Sequence, residues 1–541
     1  MGNLGAVTFD RAAMLARLAD EEFDVVVVGG GITGVGCALD AVTRGLRTAL
    51  VERGDFAVGT SSRSSKLVHG GIRYLQQREF GLVYEALHER QIALRNAPHL
   101  VHVLPFLIPI LTRDGLIDRR IARVLGGALW TYDLTGGLRI KKAHQRATRA
   151  EALALCPTLD PDHLASAYLY YDAQADDARL TLAVARTAAD HGAAVANHAP
   201  VTAIEKDAAG RVTGVRVHAD GRDLHVRARC VVNAAGVWAD AVRRLDEGPG
   251  PSTMRPAKGI HVTVPRDKVR NEVAMVVPVP GDTRTLFVVP WGEHTYIGTT
   301  DDDYDGDLDD PQCTHDDVRY VLDAMNHALT DPLTEADVTG TWAGLRPLLS
   351  SGTGKTTDLS RGHGVRVSGA GTVTITGGKL TTYRRMAEDT IDQVDLILDG
   401  RRRKCRTKRL AIHGSAGWTE PAPGDPRVEH LAGRYGTDAP AVQALADADP
   451  DLAAPLVPGL PYLRAEAVHA VRAEMARSLD DVLDRRTRAR MLDRRATAAA
   501  AEAVATLIAP ELGWDAATTT AAVARYRTDL AAEAAAETAG A

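Results

Sequence analysis

The apolar run Phe23-Asp24-Val25-Val26-Val27-Val28 passes directly into Gly29-Gly30-Gly31-Ile32-Thr33-Gly34, and this junction restricts the chain more than any other part of it. A short unbroken run of this kind marks a strand buried on both faces of a parallel sheet. The glycines fit G-x-G-x-x-G, a helical pattern continues through Ala38, Val42 and Leu46, and a second strand, Thr48-Ala49-Leu50-Val51, ends on Glu52. Together they form one βαβ unit with an acid about 20 residues beyond the central glycine, as dinucleotide binding requires. Gly29 permits the tight turn, Gly31 lets a pyrophosphate reach the helix N-terminus at Ile32 and Thr33, and Gly34 lets helix and strand pack closely. Glu52 is placed to accept ribose hydroxyls, which disfavours a 2′-phosphate. The bland alternative is a glycine turn that serves packing alone.

The rest of the chain narrows the cofactor. Five cysteines lie far apart with no C-x-x-C, which removes the usual zinc-ribbon and iron–sulfur spacings and points to a reducing compartment. Redox chemistry must then use a bound organic cofactor. No second βαβ nucleotide unit follows, and Gly369-Ala370-Gly371 precedes a strand and reads as a turn. One such unit suits a permanently held FAD better than a flavoprotein reduced by NAD(P)H. The cluster Thr60-Ser61-Ser62-Arg63-Ser64-Ser65-Lys66 can donate to a second phosphate and the ribityl chain, or be only a polar loop. Val231 to Trp238, with Gly236, is a strand running into small residues. Val373 to Thr382 is a strand, a glycine turn at Gly377-Gly378 and a helix start at Leu380 and Thr381, whose amides suit the electron-rich edge of a flavin.

The expected architecture is α/β: a Rossmann-like FAD-binding domain interleaved with an antiparallel-sheet substrate domain, as in D-amino-acid oxidase and glutathione reductase, plus an all-α C-terminal domain. Residues 1–22 are an N-terminal extension. Residues 23–400 form the oxidoreductase region, with FAD-binding segments near 23–80, 170–240 and 340–400 and substrate or cap segments near 81–169 and 241–339. The alternating stretch 211–218 and residues 285–300 read as β-hairpin elements, and Thr314 with Asp317 caps a helix carrying Val318, Leu322, Met325 and Leu329. The run from Arg401 to Arg409 is a basic linker, and 410–541 is a separate helical domain. No stretch reaches the roughly 18 apolar residues of a spanning helix, and the N-terminus has no signal pattern, so the chain is expected in the cytosol. A net charge of −6 argues against nucleic acid.

Further blocks carry a more specific likeness. The fingerprint with Glu52, the stretch Thr60 to Leu75, Tyr168 to Leu180 with Asp176-Asp177-Ala178-Arg179, Ile297 to Asp301, Gly344-Leu345-Arg346-Pro347-Leu348 and Gly377 to Arg384 resemble the FAD-dependent, quinone-linked glycerol-3-phosphate dehydrogenase family over nearly the whole chain, tail included. The resemblance implies a phosphate site of Arg346, Arg361 and Lys379, with Arg73 and Tyr74 at the neighbouring block, and matches His261 to the family's active-site histidine. A dianion needs fixed cations, and histidine is the side chain suited to accept a proton near neutral pH. Arg361 is the least secure, because the spacing from Gly354 to Gly364 departs from the family pattern. The resemblance also places Arg53, Leu67, His69 and Val201 with Thr60, Ser61, Ser65 and Lys66 at the cofactor. The implied reaction is oxidation of sn-glycerol 3-phosphate to dihydroxyacetone phosphate.

Three rivals remain at this level: a soluble oxidase using dioxygen, an amino-acid oxidase of the same fold, and a flavin-binding scaffold without turnover. His261, Arg346 and Lys379 together disfavour the last two. The electron acceptor is expected to be membrane quinone, because Leu100 to Leu111, followed by Arg113, Arg119, Arg120 and Arg123, combines apolar surface with cations suited to the inner face of a cell membrane. A buried strand is the competing reading of that segment, and a homodimer is left open. Two decoys are rejected. Gly352-Thr353-Gly354-Lys355-Thr356 lacks the first P-loop glycine, and Asp301 to Gly306 has Gln312 where a calcium loop needs a carboxylate.

Overall fold

Val25, Val26 and Val27 have no exposed surface, and their strand, Glu22–Val28, lies inside a parallel sheet. The computed structural model describes residues 9–71, 79–111, 119–136, 140, 142–282, 284–350 and 362–539. Among them, the first sheet runs His363–Val367, Val373–Gly377, Arg222–Asn233, Glu22–Val28, Thr48–Val51, Ala194–Ala196. The five strands from Val373–Gly377 to Ala194–Ala196 pair in parallel. A hairpin arm, Val201–Lys206 with Val212–Ala219, continues from Arg222–Asn233, as the alternation at 211–218 predicts. The helices Asp177–Asp190 and Tyr383–Asp399 both pack on Ile32–Thr43, and their apolar residues join the core of this sheet. Helix Arg11–Asp20, within the expected extension, also buries Met14, Leu15 and Leu18 there.

The second sheet has ten strands among the described residues and is antiparallel except where Ala274–Pro278 meets Val101–Leu111. It contains the expected hairpin, Thr285–Trp291 with His294–Gly298, and is flanked by helix His315–Asn326, capped by Thr314 and Asp317. Strand Gly340–Leu349, grouped by sequence with the nucleotide segments, pairs with Met254–Pro265 in this second sheet; the chain returns to the first sheet at His363.

One expectation is overturned here. Val101–Leu111 is an interior strand between Leu164–Ala175 and Ala274–Pro278, with Val101, Leu104 and Phe106 to Leu111 buried, Val103 and Pro105 partly exposed and His102 exposed. It is a β-strand despite Pro105 and Pro109, and its apolar side chains fill a core, so it offers no face to a bilayer. No described helix is long and apolar enough to cross a membrane.

The basic run is partly neutralised by the helix before it. Arg403 pairs with Asp395 and Asp399, Arg402 with Asp392 at 3.6 Å and Lys408 with Glu388 at 3.8 Å. Beyond it the chain is helical, ending in Arg494–Leu512 and Ala516–Thr538. This domain is helical as expected, yet its Tyr462, Leu483 and Tyr526 share one apolar cluster with Phe106, Tyr170 and Trp342 of the second sheet.

Candidate active site

The site begins where the first strand stops. Gly29 turns at φ +117°, and a Cβ there would lie 2.6 Å from the Ala234 carbonyl oxygen. A Cβ on Gly34 would lie 1.9 Å from the Gly29 oxygen, so only glycine lets the helix seat on the strand end. Gly31 caps helix Ile32–Thr43 without a side-chain bond, leaving its N-terminus toward a cavity of about 590 Å³. Uncapped helix amides with the positive end of the dipole are a site for phosphate. The buried Glu52 carboxylate accepts from the Gly30 and Gly54 amides at 2.6 and 2.8 Å, while desolvation raises its pKa. Ser61 Oγ accepts from the Ile32 amide at 2.9 Å, and Thr60 Oγ1 donates to the Leu345 carbonyl at 2.6 Å, which draws the serine-rich stretch along the cavity.

The far end of the same cavity is built on the second sheet. His261 faces Trp342 across the Met254–Pro265 and Gly340–Leu349 pair, and their rings stack at 4.5 Å and 7°. On its other side the register partner is Gly298, where a Cβ would come within 2.4 Å of the imidazole. Gly259 and Gly344 also oppose each other and open the wall; a Cβ on Gly259 would meet the Arg346 guanidinium at 2.5 Å. Arg346 is oriented by Asp301 at 2.9 Å and the Thr300 carbonyl at 2.9 Å. Gly377 and Gly378 turn at φ +76° and +87° and deliver Lys379 to the cavity.

His261 is 2% exposed, with Nε2 2.8 Å from Ser65 Oγ and a buried Nδ1 that has no hydrogen-bond partner among the described residues. Burial, then the charges of Lys66 and Arg346, hold its pKa well below the usual histidine value. Both effects favour the uncharged imidazole. One cavity thus joins a nucleotide fingerprint to a buried histidine and two cations.

Family models match on both sides of the basic run: "FAD dependent oxidoreductase" over residues 24–384 and "C-terminal domain of alpha-glycerophosphate oxidase" over 405–519. A Mycobacterium leprae protein named glycerol-3-phosphate dehydrogenase is 44% identical, with 97% of this chain and 90% of the relative covered. The chain belongs to the FAD-dependent glycerol-3-phosphate dehydrogenase family. A mitochondrial member from Mesocricetus auratus is 37% identical over 93% of this chain and 72% of its own length. The solved glycerol-3-phosphate dehydrogenase of Bacillus halodurans, complexed with FAD, superposes with a TM-score of 0.76 at 31% identity, covering 97% of each chain.

This family member is an enzyme whose cofactor is FAD, and its residues fit that group. The helix N-terminus behind Gly31 suits the pyrophosphate, and the cavity falls within the size range of cofactor sites. Of the residues expected at the cofactor, Gly29, Gly31, Ile32, Thr33, Glu52 and Arg53 line one end of the cavity. Thr60, Ser61, Ser65, Leu67, His69, Val201 and Gly236 follow along it, and Gly378, Leu380 and Thr381 close it beside Lys379. Gly34 lies behind the wall, where it permits the packing. Lys66 also lies behind it, fully buried against Asp177. Its expected place at the cofactor is corrected, because the chain turns its side chain inward between two sheets. His261, Arg346 and Lys379 share the cavity, whereas Arg73, Tyr74, Arg361 and the P-loop decoy lie outside the described residues.

Sequence reasoning missed Trp342, which fixes the His261 ring, and Trp238, over which the Arg53 guanidinium lies at 4.2 Å. A signal existed for Trp342. It stands four residues before Arg346, and alternation puts both on one face of a strand.

Proposed function

We propose that the protein oxidises sn-glycerol 3-phosphate at C2 to dihydroxyacetone phosphate, with His261 accepting the hydroxyl proton and electrons leaving to a membrane quinone. The observation that carries this reading is a neutral, ring-stacked His261 in one cavity with the nucleotide fingerprint, Arg346 and Lys379. The relatives' names supply the substrate. When bound, FAD supplies the hydride acceptor. Arg346, oriented by Asp301, and Lys379 hold the phosphate, which places C2 and its hydroxyl against the base. The incoming dianion also offsets the Arg346 charge that depresses His261, so the base strengthens as the substrate arrives. Anaerobic bleaching of the yellow holoprotein by glycerol 3-phosphate tests the reading, and a bound flavin that stays oxidised overturns it.

Arg346→Ala is expected to lower kcat/KM by about ten- to a hundredfold or more, as the loss of a charge-assisted contact worth about 1.5–3 kcal/mol implies. Reduction by dithionite should be unaffected. Unchanged steady-state kinetics remove Arg346 from the phosphate site.

The quinone assignment now rests on a different surface from Leu100 to Leu111. Phe80 and Tyr84 (51% exposed each), on helix Phe80–Asn96, and Trp130 and Leu134 (59% and 72%), on the touching helix Arg119–Thr135, are large apolar side chains open to solvent. Spacing of four puts each pair on one helix face, and exposed aromatics of this kind suit a bilayer interface. Phe80→Ser with Trp130→Ser is expected to lower binding to anionic vesicles and turnover with a lipid-borne quinone, while bleaching by substrate persists. Stoichiometric peroxide at full rate without vesicle binding identifies an oxidase instead.

A further inference from the structure

Lys66 has no exposed surface and lies directly behind the catalytic histidine's ring stack. Its backbone is left-handed at φ +57°, a conformation that a residue with a Cβ holds only where its surroundings enforce it. The ammonium donates to the Ser62 and Ser64 carbonyls at 3.2 and 3.3 Å and to Asp177 at 3.4 Å. It also sits 4.6 Å from the centroid of Trp342, the ring that stacks on His261. Asp177 is equally buried and is shared: Ser64 Oγ donates to it at 2.7 Å, and Arg488 reaches it from the C-terminal domain. Arg488 further donates to the Ser62 carbonyl at 2.9 Å and lies 3.3 Å from Asp176, which Arg434 also approaches at 3.3 Å. Two domains therefore meet on one charged cluster beneath the active site.

We propose that Lys66 is a positioning residue whose sealed positive charge, held by Asp177 behind the Trp342 ring, keeps His261 unprotonated. The inference rests on the reading of His261 as the base. Among the described residues, the groups that face His261 include Lys66, Arg346, Trp342, Ser65 and Tyr296, whose hydroxyl donates to the Ser65 carbonyl at 2.8 Å. Both charged groups among them are cations. Of the two, Arg346 stands in the cavity wall, where a phosphate offsets it. Lys66 is closed off from the cavity, so its field persists through binding and keeps the imidazole from capturing a proton from solvent. Burial pushes the Lys66 pKa down to about 8, with Asp177 opposing and Arg488 adding to the fall, so at neutral pH the ammonium remains mostly charged.

The test is a pH titration of holoprotein labelled with 13C at histidine Cε1, in which the His261 resonance is identified by its loss in His261→Gln. In the parent protein the midpoint should lie below the ordinary histidine range. Lys66→Met should raise it by about one unit, a tenfold gain in proton affinity. Lys66→Arg should leave it within about 0.3 unit, because the charge is kept. In parallel, the rate of flavin reduction should begin to fall at a higher pH in Lys66→Met than in the parent. An unmoved midpoint in Lys66→Met overturns the proposal. If that variant does not accumulate as a flavoprotein, Lys66→Gln against Lys66→Arg reads the same relation, and equal midpoints in that pair overturn it too. A shifted resonance with an unshifted rate profile instead upholds the Lys66 relation and removes His261 from the role of base.

Discussion

His261→Gln should retain FAD and bind glycerol 3-phosphate, yet reduce its flavin about 10²–10⁴-fold more slowly under anaerobic conditions, the usual contribution of a positioned base. The structure makes this more than a matter of residue type. The imidazole is held by stacking on Trp342, by the 2.8 Å contact with Ser65 and by the space left at Gly298, so no other orientation is open to it. Its depressed pKa has a consequence of definite sign: a base must be unprotonated to act, so His261 causes no loss of rate as pH falls from 8 to 6 in the parent enzyme. A reduction rate within a few-fold of the parent would falsify the assignment.

The second large effect is on stability. Asp55 is 1% exposed, and its carboxylate binds Arg485 at 2.7 Å, Arg486 at 2.6 and 2.8 Å and the Asn197 amide at 2.9 Å. Both arginines belong to the C-terminal domain and are themselves buried. Asp55→Ala leaves two guanidinium groups without their shared anion, and removing one partner of a buried ion pair destabilises by about 3–5 kcal/mol. The expected result is an earlier denaturation midpoint together with faster proteolytic release of the segment beyond residue 410, measured on the FAD-loaded protein. A midpoint equal to that of the parent shows that the Asp55 cluster does not hold the domain. Asp55→Asn should fall between the two, since the amide still bonds but carries no charge.

How much of this was legible beforehand depends on whether the determinant is local. Gly29, Gly31, Gly34 and Glu52 lie within one βαβ unit, and their spacing alone places them, because turn, helix N-terminus and strand end are neighbours in the chain. Thr314 and Asp317, three residues apart, formed their capping box as read. Leu100 to Leu111 was ambiguous for the opposite reason. An apolar run is equally suited to a core and to a surface that meets lipid, and only its pairing with Leu164–Ala175 and Ala274–Pro278 decides for the core. Lys66 was misplaced by a similar gap, since a lysine in a polar loop reads as a cofactor contact until Asp177 and Trp342, far along the chain, are seen to enclose it.

Sequence by itself determined the nucleotide-binding unit, whose chemistry is complete within a few residues, and the helical tail; FAD followed from the single nucleotide unit, and His261, Arg346 and Lys379 were singled out by the family resemblance. Tertiary structure alone decided which face of the second sheet becomes the cavity wall, that His261 is neutral, that Arg346 is steered by Asp301, and that Arg488 of the tail reaches Asp177 beneath the active site. Those outcomes depend on desolvation and on charges brought together across hundreds of residues, and neither quantity exists until the chain has folded.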